Sequence, residues 1–339
     1  MAGLGWSRRL RYLARRAAAI DTGNLSRLAG RIAASSARPR AIILADMLWS
    51  SVRHETGFQD YFDWDFHLLS RRERRTFMTH PKSNHLAQKL NAVEHRGTFA
   101  DKARFNARFA EHLGREWLDL RSATADELGG FLARHDRVMA KVADSLGGEG
   151  IAAWSTADIP DAEAWRAERL AARQVLVEEF IAQHPGMAAL NPSSVNTLRI
   201  ITYRDPANRV HTLARTLKMG NGGDVDNFSD GGMYTMLDEQ GIAHYPAFDG
   251  EGRVFSMHPL SGTSIVGFRV PLWESVEQLV ERLALEVPEI PYVGWDIAIT
   301  PAGAVVIEGN YNTGVFQLKP SVTGVREGLL PVYRRAIGF

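Results

Sequence analysis

Near its C-terminal end the chain changes hydrophobic period. "PLWESVEQLVERLALEV" repeats apolar residues at intervals of three and four, the spacing of an amphipathic helix. "YVGWDIAITPAGAVVIEGN" then predicts two strands around a turn at Pro301-Ala302-Gly303. Upstream, "VLVEEFI" reads as a buried strand. "TLRIITYRDPANRVHTLARTLKM" reads as two strands around Asp205-Pro206-Ala207-Asn208. Arg137 to Val142 is a short strand, followed by a glycine-rich turn and a second strand, and "AEAWRAERLAA" is a helix. Residues 1–35 read as helical, and "ARPRAIILADMLWSSVRHETG" as a helix with a proline-marked start. "DYFDWDFHLLSRRERRTFMTH" is helix or turn, its aromatic residues packing onto the next domain. From about residue 86 a further helical pattern runs to a last helix that starts near Asp101-Lys102. Hairpins mixed with helices predict an α+β fold rather than a doubly wound parallel sheet.

The hairpin at residues 292–314 carries polar residues in an apolar frame. With a three-residue turn, Thr300 faces Ala304, Ala298 faces Val306 and Asp296 faces Glu308. Side chains alternate faces with period two, so Asp296, Glu308 and Asn310 share one face, and Ile297, Ile299, Val305 and Ile307 the other. Directly opposed side chains stand roughly 5 Å apart. Two carboxylates that close repel, and a hard cation such as magnesium, which takes oxygen ligands, removes the conflict. An edge hairpin whose polar face meets water is the other reading.

Composition narrows the chemistry. The chain has 339 residues, 45% of them hydrophobic, enough for one large domain or two to three subdomains. It has no cysteine, which excludes disulfides, thiolate metal sites and cysteine nucleophiles. Net charge is +1, but residues 1–40 hold nine Arg against one Asp, a local +8, which leaves −7 on the rest. That basic segment is compatible with peripheral contact to an anionic membrane, but such a segment is more often a solvated helix face or a loose terminus. No uninterrupted apolar run of about 18 residues predicts a transmembrane helix. No basic-aromatic pattern continues past the first segment, so nucleic acid is not an expected partner.

Further segments could bear chemistry. In "KVADSLGGEGI", Lys141 ends a strand ahead of Ser145, Gly147, Gly148 and Gly150. Glycine N–H groups can approach phosphate oxygens closely, and the lysine adds positive charge. The order is not that of a P-loop, and a plain hairpin turn is the alternative. Extended backbone at Glu178-Glu179-Phe180-Ile181 could pair with an adenine edge. Arg199 shares a strand face with Thr197 and Ile201 and needs an anionic partner, either a phosphate or a structural carboxylate. "DNFSDGG" places Asn227 and Ser229 beside two glycines. The segment 225–265 reads as loop-rich, with Arg253 and His258 either as substrate contacts or as exposed loop residues without a role.

Taken in order, these pieces resemble the ATP-grasp superfamily from about residue 95 onward. "NPSSVNTLRI", "DNFSDGG" and "YVGWDIAITPAGAVVIEGN" are similar to segments of its sugar-transfer-associated members, which are related to α-L-glutamate ligases. The resemblance implies two α+β subdomains clamping ATP, residues 95–180 and 181–339, behind a helical basic region, 1–94. It implies that Lys102 and Lys141 reach the phosphates of ATP and that residues 145–150 cover them. Glu178 to Ile181 become the adenine hinge, and Arg199 a group near the transferred phosphate. Asn227 belongs to the loop before the catalytic centre, and Asp296, Glu308 and Asn310 are Mg2+ ligands. Two positions depart from the superfamily: Val142 succeeds the lysine where proline is common, and Gln183 and His184 stand where a glutamate often holds the ribose. His184 is read as a ribose contact or an ordinary loop histidine.

Such proteins typically join a small-molecule carboxylate to an amine through an acyl phosphate, which here implies an amino acid, peptide or sugar-linked substrate. A phosphotransferase on the same fold, a nucleotide-binding accessory of glycan or lipid assembly, and a purely structural protein are the alternatives. The expected location is the cytoplasm, including the inner face of the membrane.

Overall fold

The computed structural model describes residues 21–143, 150–222, 226, 228 and 231–339. Two antiparallel sheets organise it. The smaller has the order β1 (Trp117–Asp119), β4 (Gln174–Glu179), β2 (Arg137–Val142), β3 (Ala152–Ser155). The larger has seven strands. Its order is β11 (Gly303–Asn310), β10 (Tyr292–Thr300), β5 (Thr197–Arg204), β6 (Val210–Met219), β7 (Met233–Met236), β8 (Ala247–Asp249), β9 (Val254–Phe255). The fold is α+β, as the mixture of periods predicted.

The large sheet is covered on both faces, and the parity of its strands decides which residues meet which layer. On β10, Val293, Trp295, Ile297 and Ile299 join Leu198 and Ile200 of β5 and Leu217 of β6 in one core. The helix Trp273–Glu286 closes this face with Val276, Leu279, Val280 and Leu283, its three-and-four apolar stripe. Tyr292, Ile201, Tyr203 and Ala214 point the other way and pack against the N-terminal helices through Leu28, Ile32, Ile43, Met47, Trp64 and Phe77. The helices Thr22–Ser35 and Arg40–Arg53 therefore share a core with the C-terminal half of the chain.

Local signals set the helix starts. Asp21 accepts a hydrogen bond from the Asn24 N–H, and Pro39 precedes Arg40–Arg53. Asp101 caps Lys102–Arg108 by accepting from the N–H groups of Ala103 and Arg104 at 2.9 and 3.0 Å. Thr124 and Glu127 form a capping box on Ala125–Arg134.

Two expectations change. The stretch 233–255, read as loop, adds three short strands to the large sheet. His258 is fully buried, its Nε2 2.8 Å from the Gly220 carbonyl, and Arg253 donates to Asp249 at 2.6 Å. The hairpin turn also holds one residue fewer than expected: Thr300 pairs with Gly303, Ala298 with Val305 and Ile297 with Val306. A bulge at Ile307 then restores the register, and Asp296 pairs with Glu308. As a result Val306 and Ala304, rather than Val305 and Ile307, join Ile297 and Ile299 in the core.

Candidate active site

The face of the large sheet that receives the N-terminal helices turns polar at one end. Tyr292 is apolar cover, Gly294 lies beneath Thr313, and Asp296 comes next in a cluster of charges. A Cβ on Gly294 would stand 2.1 Å from Thr313 Oγ1 and 3.1 Å from Arg199 Cδ, so only glycine fits there. Arg199 stands directly across from Asp296 and grips its carboxylate from Nε and Nη2, the latter at 2.8 Å. Lys218 of β6, which pairs with Thr197, lies 3.7 Å from Asp296 and 3.4 Å from Asp226. Asp226 in turn accepts hydrogen bonds from the N–H and hydroxyl of Thr197.

Glu308 pairs with Asp296 across the hairpin. The Asn310 amide donates to Glu308 at 3.2 Å. Asp296, Glu308 and Asn310 thus meet on one face, and Arg199 joins them there. Burial works to raise the Asp296 carboxyl, but Arg199 and Lys218 outweigh it and hold it below the usual carboxylate range. Burial disfavours the cations too, yet the acids keep both Arg199 and Lys218 more firmly protonated than usual. Three carboxyl groups, Asp226, Asp296 and Glu308, thus gather around two cations, Arg199 and Lys218. Among the described residues no three His, Cys, Asp or Glu side chains form a metal cage. Two facing carboxylates and an amide are instead the partial oxygen set that suits magnesium, which keeps waters and substrate oxygens.

A second charge cluster sits on the small sheet. Glu178 of β4 is buried and receives Nε and Nη2 of Arg115 at 2.9 and 3.0 Å, Nδ2 of Asn106 at 2.7 Å, and Nζ of Lys141. Burial opposes ionisation of Glu178, but Arg115 and Lys141 drive its proton affinity far below normal. Lys102 approaches from its helix start: its N–H donates to Ala143, two residues beyond Lys141. The same Arg115 donates to the carbonyls of Val306 at 2.7 Å and Ile307 at 3.2 Å, the bulge of β11. One guanidinium therefore ties the two sheets, next to Glu308.

Other candidates lie on the small sheet and the segment after it. Phe180 lies under the Arg137 guanidinium at 4.0 Å, and Glu179 accepts from the Glu116 N–H. Among the described residues the N–H and C=O of Ile181 have no hydrogen-bond partner, which leaves an open backbone edge. Gly150 has φ +70, with Val142 Cγ2 2.5 Å from where a Cβ would stand. His184 caps the helix Pro185–Leu190, its Nδ1 accepting from Gly186 N–H at 3.0 Å. Gln183 is held by Asn191, Ser194 and Asn196. Ser145, Gly147, Gly148 and Asn227 lie outside the described residues.

Arg115, Lys218 and Asp226 escaped the reading of the sequence. Lys218 carried a signal, a lysine at the same parity as Thr216 in an apolar strand. Arg115 and Asp226 sit in irregular segments where no period marks them.

No curated protein matches the sequence. Among solved structures the chain is similar to the ATP-grasp ligase PsnB complexed with minimal precursor, at 17% identity and TM-score 0.44, covering 84% of this chain and 77% of that one. It is similar to the D-alanine-D-alanine ligase from Coxiella burnetii at 10% identity and TM-score 0.41, covering 77% and 61%. Residues 154–328, just over half of the chain, match the family described as sugar-transfer associated ATP-grasp. On that match the chain belongs to the sugar-transfer associated ATP-grasp family.

Proposed function

We propose that the protein is an ATP- and Mg2+-dependent ligase that joins a carboxylate to an amine through an acyl phosphate. The observation that carries this reading is the facing of Asp296 and Glu308 across β10 and β11, beside Arg199 and Lys218. Arg199 and Lys218 neutralise Asp296 and Asp226, while among the described residues Glu308 is in no salt bridge, which leaves a carboxylate beside Asp296 for a cation to neutralise. Asp296, Glu308 and Asn310 would hold magnesium, which when bound would neutralise phosphate charge as a Lewis acid. Residues 95–180 and 181–339 would act as the two halves of the nucleotide clamp, with the described part of 1–94, residues 21–94, completing the core of the second.

The chain's own groups position and neutralise. Lys141 can leave Glu178 for a phosphate because Arg115 and Asn106 keep that carboxylate satisfied. Lys102, whose N–H bonds Ala143, would reach toward the same phosphates, and the glycine loop 145–150 would cover them. The open N–H and C=O of Ile181 suit an adenine edge, and Phe180 offers a ring face near it. Arg199 would stabilise charge on the transferred phosphoryl group, with Asn227 approaching from the preceding loop. His184 as a ribose contact has less support, since its ring already caps a helix. No side-chain nucleophile is needed, in keeping with a chain without cysteine.

The test is ADP release with Mg-ATP and a panel of amino acids, peptides and sugar acids, with hydroxylamine as the acceptor. A hydroxamate identifies the acyl phosphate. A phosphorylated product that never yields hydroxamate would make the protein a phosphotransferase instead.

A further inference from the structure

The helix Arg40–Arg53 is apolar on its outer side as well as its inner one. Ile43 and Met47 enter the core, while Ile42, Leu48, Trp49 and Val52 are 57, 40, 40 and 65% exposed. With Ala41 and Ala45 they form a continuous exposed stripe without a single acid, since Asp46 is turned inward to Arg74 and Tyr61. Scattered exposed apolar residues are ordinary on a protein surface, but a contiguous stripe along one helix marks a contact surface.

The C-terminal end of this stripe opens into a pocket of about 250 Å³ lined by Arg53, Arg75, Lys82 and Arg334, with Glu55 as its one acid. His54 also lines it, 4% exposed, and its Nε2 is buried without a hydrogen-bond partner among the described residues. Stripe and pocket are one surface: the Trp49 and His54 rings meet edge to face at 5.1 Å, and the Arg71 guanidinium lies 5.3 Å over Trp49. Burial lowers the His54 proton affinity first, and Arg74, Lys82, Arg53 and Arg75 push it further, to about 4, a sign of crowded positive charge.

We propose that this face docks on a bilayer rich in anionic phospholipid, with a headgroup phosphate in the cationic pocket and the Ile42–Val52 stripe in the interface. The charge argument selects this occupant. The chain is nearly neutral overall, at +1, yet the pocket presents four cations against one acid beside exposed apolar residues. Apolar area plus attraction to anionic lipid is what holds a surface helix to a membrane. A tryptophan flanked by arginines suits the headgroup level. Among the described residues no helix is long and apolar enough to cross a membrane, so the contact is peripheral.

The full chain is sedimented with vesicles of phosphatidylcholine alone and with vesicles containing phosphatidylglycerol as one quarter of the lipid. Binding is expected only to the second. Basic residues near an anionic surface contribute ~1 kcal/mol each, so Arg53→Glu with Arg75→Glu should lower partitioning at least about tenfold. Trp49→Ser with Val52→Glu should lower it comparably. All four side chains point outward, so both variants should keep the wild-type melting temperature and its response to Mg-ATP. Arg75→Gln and Val52→Ser replace any variant that melts early. Equal binding to both vesicles, no binding to either, or wild-type binding by both double variants would overturn the proposal. So would a melting shift with inorganic phosphate, lost in the arginine variant, in a protein that ignores vesicles; that result would make the pocket a free-anion site.

Discussion

Arg199 of β5 stands directly across from Asp296 of β10 and donates two hydrogen bonds to its carboxylate. Both groups are buried, so neither charge can fall back on water. Removing one member of a buried pair costs ~3–5 kcal/mol, because the other is left uncompensated. Lys218 remains 3.7 Å from Asp296, which places Arg199→Met at the lower end of that range. Adding Asp296→Asn to Arg199→Met should recover part of the loss by removing the stranded charge. Urea unfolding of the two variants measures this; a double variant less stable than the single would contradict it.

Glu178 and Lys141 should respond unequally to substitution. Lys141→Met leaves Glu178 with Arg115 and Asn106, so stability should fall by no more than about 1 kcal/mol, while affinity for ATP drops. Glu178→Ala strands Arg115 between the sheets and should cost several times as much, ~3 kcal/mol or more. Denaturant melts with nucleotide titrations separate the two effects. Equal stability losses would mean that Arg115 is not the principal partner of Glu178.

Asp63 gives the fold a pH dependence of opposite sign to the paired acids. Burial raises its carboxyl from 3.8 to about 7, against the hydrogen bond from Gln59 and the charge of Lys319. The folded protein thus holds a proton that the unfolded chain releases. The stability attached to it is present below about pH 3.8 and is lost as pH rises toward 7. Asp63→Asn removes the dependence, so it should gain stability over wild type between pH 4 and 8, by a few kcal/mol at most. The Gln59 bond survives, because an asparagine oxygen can accept it. Urea unfolding at pH 4.5 and pH 8 decides; a gain equal at both would refute the assignment.

The facing of Asp296 and Glu308 was legible from parity alone, but through two compensating departures. The turn is one residue shorter than the sequence suggests, and the Ile307 bulge adds the residue back. Nothing local announces that bulge. Its carbonyls are held by Arg115, about 190 positions earlier in the chain, and the neighbouring Gly114 backs onto Val305 so closely that a Cβ would lie 2.3 Å from Cγ1. The amphipathic helix Trp273–Glu286 and the strand Arg137–Val142 were plain because a single period runs through each. Glu178 shows the opposite limit. Its place on a strand was readable, but the direction of its carboxylate depended on Arg115 and Asn106, which arrive from other elements.

The central claim is that the Asp296–Glu308 face holds magnesium and nucleotide. Thermal unfolding with and without Mg-ATP, for wild type, Glu308→Gln and the Asp296→Ala/Glu308→Ala pair, tests it most directly. At a hundredfold excess over its dissociation constant a ligand adds about 2.7 kcal/mol, a readily visible shift. Wild type should shift only when magnesium accompanies ATP. Glu308→Gln should fold normally, relieved of one of two facing carboxylates, and lose the shift, as should the double variant. A magnesium-dependent shift retained in both variants would contradict the account.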